Sequence, residues 1–339
     1  MRVTDALAGL LVAAAAACWP AGSVQADELA TQRIEEQQTT LATSGGDCSP
    51  CQGMCSCAGG CSHQGCGLYD GILGGVVARS DPRFAGFISP MTNPVFFEDP
   101  RINTEAKFIF LQQKIPATAG GRDIQLYALQ VQAALTDRLS IVADKDGFIV
   151  SQNPLVDDGW ADVAIGLKYL LFADPCTQRL LSAGVSYELP VGTPRALQGN
   201  GNGEFHLYLS GAALLRERWR WISGSGFRLP SDPADESRVW YWSNHFSYQL
   251  SDMLYVLTEF NWYHWMGAGQ QTALAGVEGV DLINLGSVGV AGNDIVTGAI
   301  GIKLKPHAGM EIGVAWEVPL TDRRDLLENR LTVDWIWRY

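Results

Sequence analysis

Three short stretches hold the residue types that could do chemistry. The densest is Cys48, Cys51, Cys55, Cys57, Cys61 and Cys66, interleaved with Gly53, Gly59, Gly60, Gly65 and Gly67. In an exported chain such a cluster reads first as a disulfide knot, and six cysteines allow about fifteen pairings that sequence does not choose between. Metal ligation stays open beside it, with Cys48-x-x-Cys51 as one half-site and His63 next to Cys61 and Cys66, although a second regular Cys-x-x-Cys is missing. A thiol redox role lacks the βαβ context it needs. The second stretch is His245-Phe246-Ser247, because residues i and i+2 share a strand face and can bring a histidine within reach of a serine. The third, Asp144-Lys145-Asp146-Gly147, lacks the further acidic positions and distal glutamate of a calcium loop, and reads as turn chemistry or buried charge. Neither a glycine-rich phosphate loop nor a His-Glu-x-x-His helix is present, so no cofactor is expected.

The segments that position these residues begin with an export signal. Arg2 precedes the apolar run Ala6 to Ala17, then Trp19-Pro20 and the small-x-small motif Val24-Gln25-Ala26, which places cleavage after Ala26. Lipoprotein processing before Cys18 fits less well, since Ala15 stands where leucine is usual. Removal of Cys18 leaves seven of the eight cysteines, Cys176 among them, so pairing within one chain leaves at least one over. Residues 27–47 form a polar linker, 48–67 the Cys/Gly-rich segment, and 68–101 an irregular lead-in or a partial plug. Pro90, Pro94 and Pro100 keep that last segment from being a regular strand, because proline cannot donate to a ladder. A net charge of -12 argues against a nucleic-acid partner.

Beyond the signal no stretch has the roughly twenty consecutive apolar residues of a membrane helix. If the chain spans a membrane it must do so as a closed barrel. The final residues favour this. Leu331, Val333, Trp335, Trp337 and Tyr339 share one strand face, Thr332, Asp334 and Arg338 the other, and an aromatic-ended apolar face suits lipid and its interface. Runs near 102–114, 122–134, 138–150, 158–172, 179–190, 203–214, 219–229, 237–249, 253–265, 292–305, 309–318 and 329–339 alternate in the same way. Short and long connections alternate between them, as periplasmic turns and outer loops do. The fold expected over 102–339 is therefore all-β, a transmembrane antiparallel up-and-down barrel of about twelve strands, with the Cys/Gly-rich extension in the periplasm.

Alternation sends one set of polar side chains inward: Lys107, Asp162, Lys168, Glu188, His206, Arg220, Arg228, His245, Glu259, Lys303, Glu311, Glu317, Asp334 and Arg338. Opposite charges across a narrow lumen should pair, since an unpaired buried charge costs several kcal/mol. The loop 267–292 is unexpectedly apolar for an outer loop, with Leu274, Val277, Val280, Leu282, Ile283, Leu285, Val288 and Val290. It should fold into the barrel mouth or cover part of the rim, and Glu278, Asp281, Leu282 and Asn284 are its candidate site residues.

The stretches Asn93-Pro94-Val95-Phe96-Phe97-Glu98-Asp99-Pro100-Arg101, Asp144-Lys145-Asp146-Gly147 and Val277-Glu278-Gly279-Val280-Asp281-Leu282-Ile283-Asn284-Leu285-Gly286-Ser287, with the aromatic terminus, carry a resemblance. The chain resembles bacterial outer-membrane barrels grouped with the meta-pathway phenol-degradation type of transporter. That resemblance spans roughly residues 90–339, leaves the cysteine cluster out, and implies a barrel near small-molecule, aromatic-compound passage without a mechanism. The expected function is passage of small hydrophobic or aromatic molecules across the bacterial outer membrane, in contact with its lipid and with the barrel-assembly machinery through the C-terminal aromatic strand. The alternative is a structural or cell-envelope attachment barrel with a disulfide-rich extension. Less favoured is a hydrolase like the outer-membrane phospholipase, which presents its His-x-Ser pair to lipid. Here Trp240, Trp242, Phe246 and Tyr248 take the apolar face, so His245 and Ser247 turn inward and no enzyme activity is expected.

Overall fold

A computed structural model describes residues 75–339. The signal segment, the linker and the cluster Cys48, Cys51, Cys55, Cys57, Cys61 and Cys66, with any pairing or ligation expected of them, lie outside the described residues. Strand segments follow in order as β1 (Glu105–Lys114), β2 (Asp123–Ala134), β3 (Leu139–Lys145), β4 (Phe148–Ser151), β5 (Gly159–Trp160), β6 (Val163–Asp174) and β7 (Arg179–Leu189). They continue as β8 (Glu204–Arg216), β9 (Trp219–Pro230), β10 (Arg238–Gln249), β11 (Leu254–Gly267), β12 (Asp294–His307), β13 (Met310–Pro319) and β14 (Asn329–Arg338).

The pairings between these strands are all antiparallel, and β14 closes on β1 in an unbroken register from Glu105↔Arg338 to Lys114↔Asn329. Twelve strands make the closed wall and β4 and β5 are additional short pieces. The period-2 pattern dictates this wall. Along β6, Val163, Ile165, Leu167, Tyr169 and Leu171 are exposed, whereas Ala164, Lys168 and Leu170 are buried. Along β8, Phe205, Leu207 and Leu209 are exposed, whereas Glu204, His206, Tyr208 and Ser210 are buried. Charge inside and aliphatic or aromatic side chains outside invert the pattern of a water-soluble sandwich, and hydrocarbon is the surrounding that stabilises it.

Two expected strands need correction. The run 138–150 is split into β3 and β4, and 158–172 into β5 and β6, at the same height of the wall. β2 pairs with β3 from Val131↔Ala143 downward and with β4 from Tyr127↔Phe148 upward, so three residues of β2 face four of the partner. Side chains patch the interruption: Leu129 N–H donates to Asp146 Oδ1 at 2.9 Å, and Gln130 Nε2 donates to the Asp144 carbonyl. Gly147 sits in the break with φ 122°, and a Cβ there would lie 2.7 Å from the Tyr127 carbonyl oxygen. Only glycine combines that dihedral with that approach.

The described part of 68–101, the plug segment, forms no strand. Ser80 N–H donates to the Tyr339 carbonyl and Asp81 N–H to that of Ile102, so residues 81–102 leave and return at one end of the barrel. Between those points the chain runs through the lumen, burying Phe84, Phe87, Ile88, Met91, Phe96 and Phe97.

Candidate functional site

Irregular backbone inside a barrel must find partners for its carbonyls, because little water remains there. The wall supplies them. Lys305 donates to the Phe87 carbonyl at 2.7 Å, Lys303 to Ser89 at 2.9 Å, Gln130 to Pro94 at 2.8 Å and Tyr241 to Phe96 at 2.7 Å. Ser210 reaches Glu98 at 2.6 Å, Lys168 reaches Asp99 at 2.6 Å and Ser182 reaches Pro100 at 2.5 Å. Glu259 is a further anchor: it accepts from Met91 N–H at 2.9 Å, from Thr92 N–H at 2.6 Å and from the Thr92 hydroxyl, and pairs with His245 Nδ1 at 2.7 Å. The inward polar set thus serves chiefly to hold a plug, rather than to line a water path.

From the other end the loop 268–293 closes the mouth. Val280, Leu282, Ile283, Leu285 and Val290 are buried in one cluster with Val239, Tyr241, Tyr263 and Trp265 of the wall and with Val95 and Phe96 of the plug. The four expected loop residues act as its fastenings. Glu278 accepts from the Ser237 hydroxyl at 2.6 Å and from Leu285 and Ser287 N–H groups at 3.0 and 2.9 Å. Asn284 donates to Glu204 at 2.8 Å and accepts from Ser237 N–H at 2.9 Å. Asp281 holds Arg330 at 2.7 Å, and the Leu282 carbonyl accepts from Gln198 at 3.2 Å. At the rim, burial and the neighbouring Glu204 push the Glu236 carboxyl up to about 8.

The inward candidates are placed as follows. Lys303 pairs with Asp334 at 2.7 Å, Arg338 with Glu311 at 2.5 Å, Glu188 with Lys145 at 2.5 Å and Arg228 with Glu204 at 3.4 Å. His206 meets the Tyr241 hydroxyl at 2.8 Å, and Glu317 lies 3.5 Å from Arg330. Arg220 donates to Gln249 at 3.0 Å near the plug end of the barrel. Lys107 is only half-buried and reaches the Pro90 carbonyl at 3.2 Å. Asp162 lies off the wall strands, in the connection between β5 and β6, and accepts from Gly192 and Gly199 N–H groups at 2.8 and 2.9 Å. His245 and Ser247 are both buried, and His245 is engaged by Glu259. Sequence reasoning missed Arg330 and Arg101. Arg330 shares the face of Thr332, Asp334 and Arg338, so alternation could have found it at the strand start.

The wall break, bonded across by Asp146 and by Ala161 N–H to the Gly147 carbonyl, has space on both sides. Outside lies a groove of about 900 Å³, lined by Phe108, Phe110, Tyr127, Leu129, Trp160 and Trp335 among others. Inside lies a small void of about 20 Å³ lined by Val95, Ile124, Leu126, Ile149, Leu282 and Ile283. Ile109, Ala128, Asp146 and Ala161 border both.

No protein-family model matches the chain, and no curated protein matches it. Among solved structures, it is similar to an outer membrane channel from Pseudomonas putida F1, with 12% identity and a TM-score of 0.50 over 75% of this chain and 100% of that one. It is also similar to the NanC porin, with 8% identity and a TM-score of 0.46 over 70% and 99% of the two chains. The KdgM porin in complex with disordered oligogalacturonate has 10% identity and a TM-score of 0.42 over 69% and 99%. At the identity of the Pseudomonas channel the likeness is one of fold, the closed barrel of an outer membrane channel.

Proposed function

We propose that this chain is an outer-membrane barrel that passes small apolar or aromatic molecules between the lipid-facing groove and the barrel interior, through the gap bordered by Ile109, Ala128, Asp146 and Ala161. The observation that carries the reading is that these four residues line both the outer groove and the inner apolar void. The lumen offers polar solutes little. It is filled by residues 81–102 and capped by the mouth loop, and its inner voids of about 20 and 30 Å³ have room for a water or two. An apolar molecule needs no aqueous path. It gains from leaving water wherever the surroundings are apolar, and Ile109, Ala128 and Ala161 are the apolar partition between the groove and the Leu282-Ile283 corner.

The test is uptake by asymmetric vesicles whose outer leaflet is lipopolysaccharide, a barrier to apolar solutes, measured with toluene and with arabinose. The protein should speed toluene several-fold over empty vesicles and leave arabinose nearly unchanged. Ala128→Trp, which fills the gap, should return toluene uptake to the empty-vesicle rate while the barrel keeps its heat-modifiable migration on gels. Arabinose passage without toluene passage refutes the reading. If neither solute passes and the barrel instead retains envelope partners, the attachment function takes its place.

A further inference from the structure

The two closures of the lumen meet at one side chain. The plug turns back at residues 93–97, where Phe97 N–H donates to the Asn93 carbonyl at 2.9 Å. Through Val95 and Phe96 this apex shares a buried apolar cluster with Val280, Leu282, Ile283 and Leu285 of the mouth loop. Arg228, buried on the inner face of β9, touches both. Its guanidinium carbon lies 5.2 Å from the centre of the Phe96 ring. Its Nη1 donates to the Val280 carbonyl at 3.5 Å, and its Nε lies 3.4 Å from Glu204 Oε2, the same oxygen that accepts from Asn284 of the loop at 2.8 Å. Among the described residues no other hydrogen bond or ion pair holds this side chain, and Nη2 has no acceptor. Arg228 thus meets the plug through a ring face, and its polar contacts lead to the loop.

We propose that Arg228 couples the mouth loop and the plug apex into one gate, so that lifting the loop loosens the apex and withdrawing the apex loosens the loop. When the loop lifts, Arg228 loses the Val280 carbonyl, Glu204 loses Asn284, and water enters above the apex. Hydration stabilises a guanidinium more than one long hydrogen bond does, so Arg228 turns to the water and leaves the Phe96 ring, since a cation–π contact needs the charge within about 6 Å. Val95 and Phe96 then lose the apolar cover that the loop supplied. Three bonds remain at the apex, from Tyr241 to the Phe96 carbonyl at 2.7 Å, from Gln130 to Pro94 at 2.8 Å and from Asn93 to Ser243 at 2.8 Å. These are neutral hydrogen bonds, which water replaces at small net cost. The lower plug is held differently. Lys305, Lys303 and Glu259 grip Phe87, Ser89, Met91 and Thr92 with charged groups, and none of the three bonds the loop, so loosening should stop short of Thr92. Coupling is reciprocal, and withdrawal of Phe96 therefore frees Arg228 and weakens its hold on Val280. The gate concerns opening along the barrel axis and does not depend on what the barrel passes.

The experiment is amide hydrogen exchange, read at single amides by mass spectrometry, on the full chain in lipid nanodiscs. Arg330→Met perturbs the loop from a side away from the plug, because that guanidinium bonds Asp281, Gln113 and Glu317. It should speed exchange at Leu285 and Ser287 of the loop at least tenfold, speed Phe96 and Phe97 of the apex to within threefold of that factor, and leave Met91 and Thr92 within twofold of the wild type. Phe96→Ala perturbs the gate from the plug side, and should speed Gly276 and Val288, whose amides are bonded within the loop, at least threefold. Arg228→Lys keeps a charge for Glu204 but loses the planar stack on Phe96. In that background Arg330→Met should still speed Leu285 and Ser287, while Phe96 and Phe97 change less than threefold. A loop that opens in Arg330→Met above an unchanged apex overturns the coupling, as does exchange quickened equally at Met91 and Thr92. Where Arg330→Met leaves the loop closed or fails to fold, Phe96→Ala decides, and an unchanged loop there overturns the coupling. An apex that quickens as fully with Arg228→Lys as without it overturns the assignment to Arg228.

Discussion

Arg330 is the residue whose loss should open the mouth. Its guanidinium is fully buried and forked: Nη2 and Nη1 reach the two oxygens of Asp281 at 2.7 and 3.2 Å, Nε and Nη2 reach Gln113 Oε1 at 3.0 and 2.7 Å, and Nη1 lies 3.5 Å from Glu317. Glu317 keeps the Thr297 hydroxyl at 2.6 Å and Asn261 at 3.1 Å if the arginine goes, but Asp281 has no other bonded partner among the described residues. Arg330→Met therefore leaves a buried carboxylate alone in the closed state, a cost of about 3–5 kcal/mol, whereas an open loop lets that carboxylate hydrate. At roughly 1.4 kcal/mol per tenfold, the closed-to-open ratio falls by about a hundredfold to several thousandfold. In planar bilayers the wild type should give small, rare openings and Arg330→Met larger and more frequent ones, with the segment 268–293 newly open to protease. Because a well-packed apolar replacement of a buried ion pair is close to neutral, Arg330→Met combined with Asp281→Leu should close the mouth again. Unchanged currents and unchanged protease protection in Arg330→Met would refute the reasoning, since the loop would then be held by something other than this pair.

Two further outcomes follow from the outer loops. Val280 is a buried β-branched residue at φ 61°, a left-handed conformation that costs a non-glycine residue roughly 1–2 kcal/mol. Val280→Gly should consequently destabilise the loop by about that much less than Val290→Gly, which removes an equally buried valine without a positive φ; hydrogen exchange of the loop amides compares them. Asp325, in the loop between β13 and β14, has its carboxyl pushed up to about 6 by burial, against the pull of Arg323 at 2.9 Å. The folded value exceeds the ordinary aspartate value of 3.8, so between these values the folded loop binds more protons than the unfolded chain and stability falls as pH rises. Exchange protection of residues 321–328 should be higher at pH 4 than at pH 7, and Asp325→Asn should flatten that difference.

The wall was legible in the sequence because alternation is a local property: the face carried by Ile165, Leu167 and Tyr169 needs no knowledge of its partners to be recognised. The same rule turned Lys168, Glu259, Lys303 and Glu311 inward, and the exposed Trp335 and Trp337 outward. What it could not supply was the purpose of the inward charges. Lys303 bonds a carbonyl 214 residues earlier in the chain, and the plug that owns the carbonyl has no period to read, since Pro90, Pro94 and Pro100 break any strand pattern. The wall break was hidden for the opposite reason. Phe148, Ile149 and Val150 continue the composition of β3, so the run reads as one strand, and the interruption at Asp146-Gly147 shows only in the mismatch of three residues against four on β2.

These two blind spots are connected physically. A barrel whose interior is filled from the Tyr339 end by residues 81–102 and from the mouth by Val280 to Leu285 has given up a straight aqueous path. The interruption falls where the Val95 side of the plug and the Leu282-Ile283 corner of the loop come together behind the wall. At Ala128 and Ala161 the wall turns methyl groups to the groove, with Asp146 bonded across the ladder gap and the Lys145–Glu188 pair behind it. Plug, mouth loop and broken strands thus form one arrangement, and it is the arrangement that the proposed sideways passage requires.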